Sequence, residues 1–305
     1  MMLRLNGFLQ KQMHALLENK QYAFVCALAL AFFPYTAWLS IVIIALITLR
    51  KGWREGALVL LPVITAHLGC SLMTVSKVAA VINTLTLFVP CYLAACTLRV
   101  TANWQGVAGV FFLLTSLSAL LVQLFAPEFV MAQYVYLQAI LKEAQSEAIV
   151  SNLLNDTTGL NRTILASYAF GIQMVSVVFS AMTSLMMARS MQSRLFNPGG
   201  FKQEILAFRV NKIGLLIAVM LFAATIQHNV VAMIILPALI LYFLLAGLSV
   251  SANALIKKNP RLVFILLVMP LIIVPFIMVP VYGILGLIDS LFNLRIYTFK
   301  PKRRG

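Results

Sequence analysis

The sequence predicts an all-α membrane protein: a polytopic helical bundle of about eight to ten membrane elements, its first and last apolar runs folded as helical hairpins and both termini cytoplasmic. Three observations carry this. Of 305 residues, 62% are hydrophobic and 10% charged, against about 25% charged in soluble domains, whose surface must face water. Apolar runs recur at about the 20 residues that a helix needs to cross a hydrocarbon core of roughly 30 Å. Between those runs, basic residues are distributed unevenly. An outer-membrane barrel would show alternating segments of about ten residues, and no such alternation is present.

Residues 1–20 form a polar-flanked amphipathic stretch. The apolar run that follows continues past the small residues Ala27–Ala31, so it reads as an uncleaved membrane element and not as a signal peptide. The apolar segments are 21–49, 56–76, 78–98, 105–126, 164–188, 213–227, 229–251 and 262–294. They divide the chain into an N-terminal membrane half (21–126), an external connection (127–163), a C-terminal membrane half (164–294) and a basic tail (295–305). The first run is too long for one upright span and contains Pro34, whose predecessor is driven out of helical geometry. The last run is also too long and carries Pro270, Pro275 and Pro280.

Charge selects the hairpin reading of both long runs. With the amino terminus inside and both runs folded back, 20 of the 23 Lys and Arg fall on one face, leaving Lys77, Lys142 and Arg162 on the other. Positive residues stay on the cytoplasmic side, so the net charge of +15 reads as topology and not as nucleic-acid binding. The expected location is the bacterial inner membrane. Trp53 and Trp104 flank spans on the inside and Trp38 sits near the outer turn of the first hairpin, as amphipathic aromatics prefer. The tail ending KPKRRG reads either as a topology anchor or as a surface for anionic lipid or RNA phosphates.

Two connections exceed turn length. In 127–163, Val130, Tyr134, Leu137, Leu141, Ala144, Ala148 and Leu153 recur at three- to five-residue spacing, the pattern of an amphipathic helix on the outer surface, placed to cap a cavity. Asn155 and Asn161 begin glycosylation-type tripeptides, which carry no meaning in a bacterium. The cytoplasmic connection 189–212 contains Asn197-Pro198-Gly199-Gly200, a strong turn signal. Beyond it, Phe201, Ile205 and Phe208 share one face of a short interfacial helix.

Polar groups inside hydrocarbon are costly, which makes each a candidate for function. His67 lies mid-span, Asn83 early in the next span and Gln173 in the fifth segment; these are the candidate binding residues. His67 reads as a titratable group near neutral pH or as an interhelical hydrogen bond, and His228 as a solvated turn residue. Asp289 stands about a turn and a half before Arg295, a spacing that allows an ion pair. The four cysteines include no CxxC pair and read as buried free thiols. There is no HExxH, paired intramembrane carboxylate, nucleophile–base pair or nucleotide motif, so no cofactor, metal or enzymatic activity is expected.

Asn197-Pro-Gly-Gly-Phe201 with Glu204 and Leu206–Arg209, together with Gly286-Leu-Ile-Asp289-Ser-Leu-Phe292-Asn-Leu-Arg295, resembles the YybS-like family of bacterial membrane proteins over most of the chain. That family is grouped distantly with the substrate-binding components of energy-coupling-factor transporters. The resemblance implies a small-molecule cavity open to the outside and cytoplasmic ATPase partners. It marks Asn197, Pro198, Gly199, Gly200, Glu204, Arg209, Asp289 and Arg295 as candidates for coupling or partner contact. The chain has more membrane elements than those components. The leading expectation is a protein that binds or moves a small or amphipathic molecule. The alternative is a scaffold docking cytoplasmic partners through its basic face.

Overall fold

A computed structural model describes residues 16, 18–33, 36–74, 77–143, 159–256, 262–292 and 294–295. Among the described residues there are twelve helices and no strand. In chain order they are α1 (Lys20–Phe32), α2 (Ala37–Lys51), α3 (Trp53–Ser71), α4 (Lys77–Thr101), α5 (Trp104–Phe125), α6 (Pro127–Glu143), α7 (Gly159–Phe196), α8 (Gly200–Ala207), α9 (Lys212–Ile226), α10 (Val230–Ile256), α11 (Val263–Ile273) and α12 (Pro275–Phe292). Most of the N-terminal stretch, Pro34, the basic cluster 257–261 and the tail beyond Arg295 lie outside the described residues, as do Ala144, Ala148, Leu153 and Asn155.

Among the described residues, five segments are long and apolar enough to cross a bilayer: Ala79–Thr101, Trp104–Phe125, Arg162–Phe196, Val230–Ile256 and Pro275–Phe292. Four further apolar helices are short, with 13 residues in α1, 15 in α2 and α9, and 11 in α11. At 1.5 Å per residue the longest of these reaches about 22 Å, less than a full hydrocarbon core. The opposite excess occurs in α7, whose 38 residues extend about 57 Å. Beyond the apolar segment that ends at 188, α7 continues to Phe196, and no glycine or proline interrupts it there before Pro198.

The chain forms two compact units, Met1–Phe111 with Val177–Ile205, and Phe112–Ser176 with Leu206–Gly305. In the first, α2 is the central helix. Every residue from Ser40 to Leu49 is buried, as expected of a helix that is apolar all round. Ala23, Ala27 and Ala31 are buried on α1, a small-residue stripe that permits close approach. The Ser40 hydroxyl donates to the Ala27 carbonyl at 2.8 Å and Thr36 to that of Leu30 at 2.8 Å. Those pairings show the chain doubling back between α1 and α2.

Several positive clusters of this unit gather at one end. Lys20 pairs with Glu55 at 2.7 Å, and Arg50 lies 4.0 Å from the centre of the Phe196 ring. Arg99 donates to the Thr48 and Leu49 carbonyls at 3.2 and 3.1 Å, and Gln192 donates to Leu49 at 3.5 Å. The last four carbonyls of a helix have no partner within it, so Arg99 and Gln192 serve as caps for α2. His67 does the same for α1: Nδ1–H donates to the Ala31 carbonyl at 2.9 Å, and the ring meets Phe88 edge-on at 5.4 Å. His67→Leu is expected to cost about 1–2 kcal/mol through the orphaned carbonyl, readable as a lower unfolding midpoint in detergent.

In the second unit, α10 and α12 cross at glycines. A Cβ added at Gly247 would lie 1.8 Å from the Tyr282 carbonyl oxygen, and one at Gly286 would lie 2.1 Å from that of Phe243. Further along both helices, Asn253 and Arg295 converge on the Leu206 carbonyl, so α10 and α12 run in the same direction. Between them α11 returns: Tyr282 donates to the Leu267 carbonyl at 3.3 Å, across a break at Val274. That break precedes Pro275, while Pro270 and Pro280 lie inside helices.

The expected external helix is α6, which begins one residue after α5 with proline at its first position, where proline's missing N–H costs nothing. Of its expected apolar face, Val130 and Tyr134 are buried in a cluster with Ala119, Ala166, Phe170, Ile234 and Ile235, while Leu137 is exposed. Ala119 is six residues before the end of α5, about 9 Å along its axis.

Candidate functional site

The helices α6 and α7 lie side by side in the same direction. Phe129 meets Phe170 edge-on at 6.0 Å, and Gln173 Nε2 stands 3.5 Å from Gln133 Oε1. Between them is a cavity of about 300 Å³ lined by Gln133, Tyr134, Tyr136, Leu137, Ala169, Phe170, Ile172, Gln173 and Ser176. Of the candidate binding residues, Gln173 lines this cavity. Gln133, its partner, was not singled out from sequence, although an amide three and four residues before Tyr136 and Leu137, and so on their side of the helix, was a usable signal. His67 is engaged with Ala31 and Phe88. Asn83 is exposed on α4 beside the exposed Ile82 and Leu85.

A second constellation surrounds the break at 208–211 between α8 and α9. Asp289 is fully buried on α12, 3.2 Å from Arg295 and 3.8 Å from Arg209. Each arginine also serves a helix end. Arg209 donates to the Asp289 and Ser290 carbonyls at the end of α12, both at 3.1 Å. Arg295 donates to the Leu206 and Phe208 carbonyls and, at 3.2 Å, to the Ser249 hydroxyl. Asn253 Nδ2 adds a 2.6 Å bond to Leu206, and Ser290 a 3.4 Å bond to Val210. One carboxylate thus faces two cations, and the negative carbonyl end of α12 offsets the second. Burial lowers the Arg295 pKa, Asp289 raises it and Arg209 lowers it again; a guanidinium stays charged throughout.

The remaining motif residues lie in the first unit. Asn197 to Gly200 forms a turn closed by Gly200 N–H donating to the Asn197 carbonyl at 3.0 Å. Pro198 occupies its second position and Gly199, at φ +91°, its third, the arrangement of a type II turn. Asn197, Pro198 and Gly199 are exposed. Glu204 is engaged within the chain: Arg189 grips both carboxylate oxygens and Trp104 Nε1 donates to it at 3.2 Å. Trp104, read from sequence as an interfacial flank, is 2% exposed and stacks edge-on with Phe201. Sequence reasoning missed Arg189, Ser249 and Asn253 as members of these clusters; polar residues at the inner ends of apolar helices were the available signal.

All four cysteines are free, with Cys91 buried. Among the described residues no group of three His, Cys, Asp or Glu could hold a metal ion. Five bilayer-length apolar segments, with helices and no strand among the described residues, define a multi-pass membrane protein of the helical class. The chain matches no protein-family model, no curated protein and no solved structure.

Proposed function

We propose that this is a non-enzymatic inner-membrane protein that binds or moves a small or amphipathic molecule, acting as a transporter subunit alongside a cytoplasmic ATPase. The groove between α6 and α7 carries the reading: a cavity of about 300 Å³, at the lower end of ligand-pocket size, with a few polar groups on an apolar wall. The likeness of 197–209 and 286–295 to the YybS-like family points the same way. The test is to purify the protein natively and identify what accompanies it. A bound small molecule or ATPase subunits are expected. Finding neither, with normal uptake in a deletion strain, would sink the reading.

In this proposal the ends bearing Arg99, Arg189, Arg209 and Arg295 face the cytoplasm and both long runs are membrane hairpins, as the positive-inside rule requires. Reporter fusions at residue 145 should read external, and fusions at 200 and 305 cytoplasmic. A cytoplasmic signal at 145 would overturn this topology.

The scaffold alternative draws on the exposed turn Asn197–Gly199 and the exposed Lys202 and Lys212. Reversing Lys202 and Lys212 to glutamate separates the two readings, since it removes partner recruitment from a scaffold and leaves the groove untouched. Arg209 is unsuitable for that test because its charge is engaged by Asp289.

A further inference from the structure

We propose that the groove between α6 and α7 takes an uncharged amphiphile whose polar head both donates and accepts hydrogen bonds, as a carboxamide does. The inference rests on reading that groove as a ligand site and adds the ligand's chemical class. None of its lining residues carries a formal charge. Gln173 lies in the apolar segment Arg162–Phe196, which is long enough to cross a bilayer. A charged head within hydrocarbon needs a counter-ion, and the groove wall offers none.

The two glutamines supply the recognition. Each amide has two N–H donors and a carbonyl with two lone pairs, yet they share a single contact of 3.5 Å, at the outer limit of a hydrogen bond. A head that donates to one amide and accepts from the other would replace this weak contact with two normal ones. Ser176 adds a hydroxyl at the inner end of the groove, although its Oγ also donates to Ile172 at 3.2 Å. The apolar body of the ligand has its own surface: Tyr136 is 64% and Ile172 60% exposed at the open side, so a hydrocarbon chain leaves the groove into lipid without crossing a polar rim.

The test uses the full-length protein in phosphatidylethanolamine–phosphatidylglycerol nanodiscs and decanamide carrying a terminal diazirine. After irradiation, peptides are mapped for label, and unlabelled decanamide, decanoate, decylammonium and butyramide compete. Label is expected on 127–143 and 162–176, with decanamide competing at about tenfold lower concentration than either ion or the short amide, the factor that one hydrogen bond supplies. Gln173→Leu should weaken decanamide by a similar factor, and the competition on unaltered protein decides the matter if that variant folds poorly. Equal competition by an ion would overturn the neutral-ligand assignment and leave the groove a ligand site. Equal competition by butyramide would remove the need for a chain. Absence of label from both segments would overturn the assignment and the groove reading together.

Discussion

A leucine at Gly247 should leave almost no folded protein, and the same change at Gly286 should do as much. The cause is distance. Even the first carbon of a side chain at Gly247 would lie 1.8 Å from a backbone oxygen of the facing helix, and backbone cannot swing aside as a side chain can. The helices must move apart, losing packing along their whole crossing, and in lipid that packing is the main force between helices. Overpacking of a tight core costs about 1–3 kcal/mol; here both helices are pushed at once, so the upper end applies to alanine and leucine exceeds it. Gly283 is the internal control, because a Cβ there meets nothing within 4 Å. Gly283→Ala should be neutral or stabilising by up to about 1 kcal/mol through helix propensity. Unfolding midpoints in detergent for the three alanine variants would test this, and equal midpoints for Gly247→Ala and Gly283→Ala would refute it.

The second large effect belongs to Asp289. Asp289→Ala removes the one carboxylate facing two arginines, of which Arg295 has a side chain only 11% exposed. Breaking a buried pair from one side leaves an uncompensated charge and costs about 3–5 kcal/mol. Arg295→Ala should be at least as severe, because the Leu206 and Phe208 carbonyls lose a donor with it. The double variant should lose less than the sum of the singles, since removing both charges relieves part of the penalty. Additive losses would show that the pair is not energetically coupled. Arg209, with a side chain 28% exposed, should tolerate lysine better than Arg295 does, because water reaches its end of the cluster.

Much of this architecture was legible in the chain. Breaks in the first and last apolar runs followed from length and proline, and Asp289 and Arg295 were paired from helical spacing alone. Other features were hidden for definable reasons. Of the prolines 270, 275 and 280, only Pro275 marks a break. A proline inside a membrane helix frees one carbonyl that neighbours can satisfy, so sequence could not rank the three. Arg209 joins Asp289 from 80 residues away and Gln133 joins Gln173 from 40, separations that no local periodicity encodes. Helical spacing placed Val130 and Tyr134 on one face of α6, both of them buried, but spacing does not say what packs against that face. Arg99 was counted as topology alone, whereas Arg209 and Arg295 were also candidates for partner contact, Arg295 as the partner of Asp289. Each also satisfies carbonyls at the end of a helix, a demand that multiplies when long apolar runs are cut into short helices.

The order in which the chain is synthesised gives that capping a timing. The carbonyls of Leu206 and Phe208 are made 89 and 87 residues before Arg295, and Arg209 is made 80 residues before the first carbonyl it caps. Until the last helix is complete, the kink between α8 and α9 holds peptide groups without these partners and Arg209 without Asp289. A nascent chain stopped before residue 289 should therefore remain open at this point, however well its earlier helices have packed. The final turn of α12, with the three residues beyond it, is what closes the second unit.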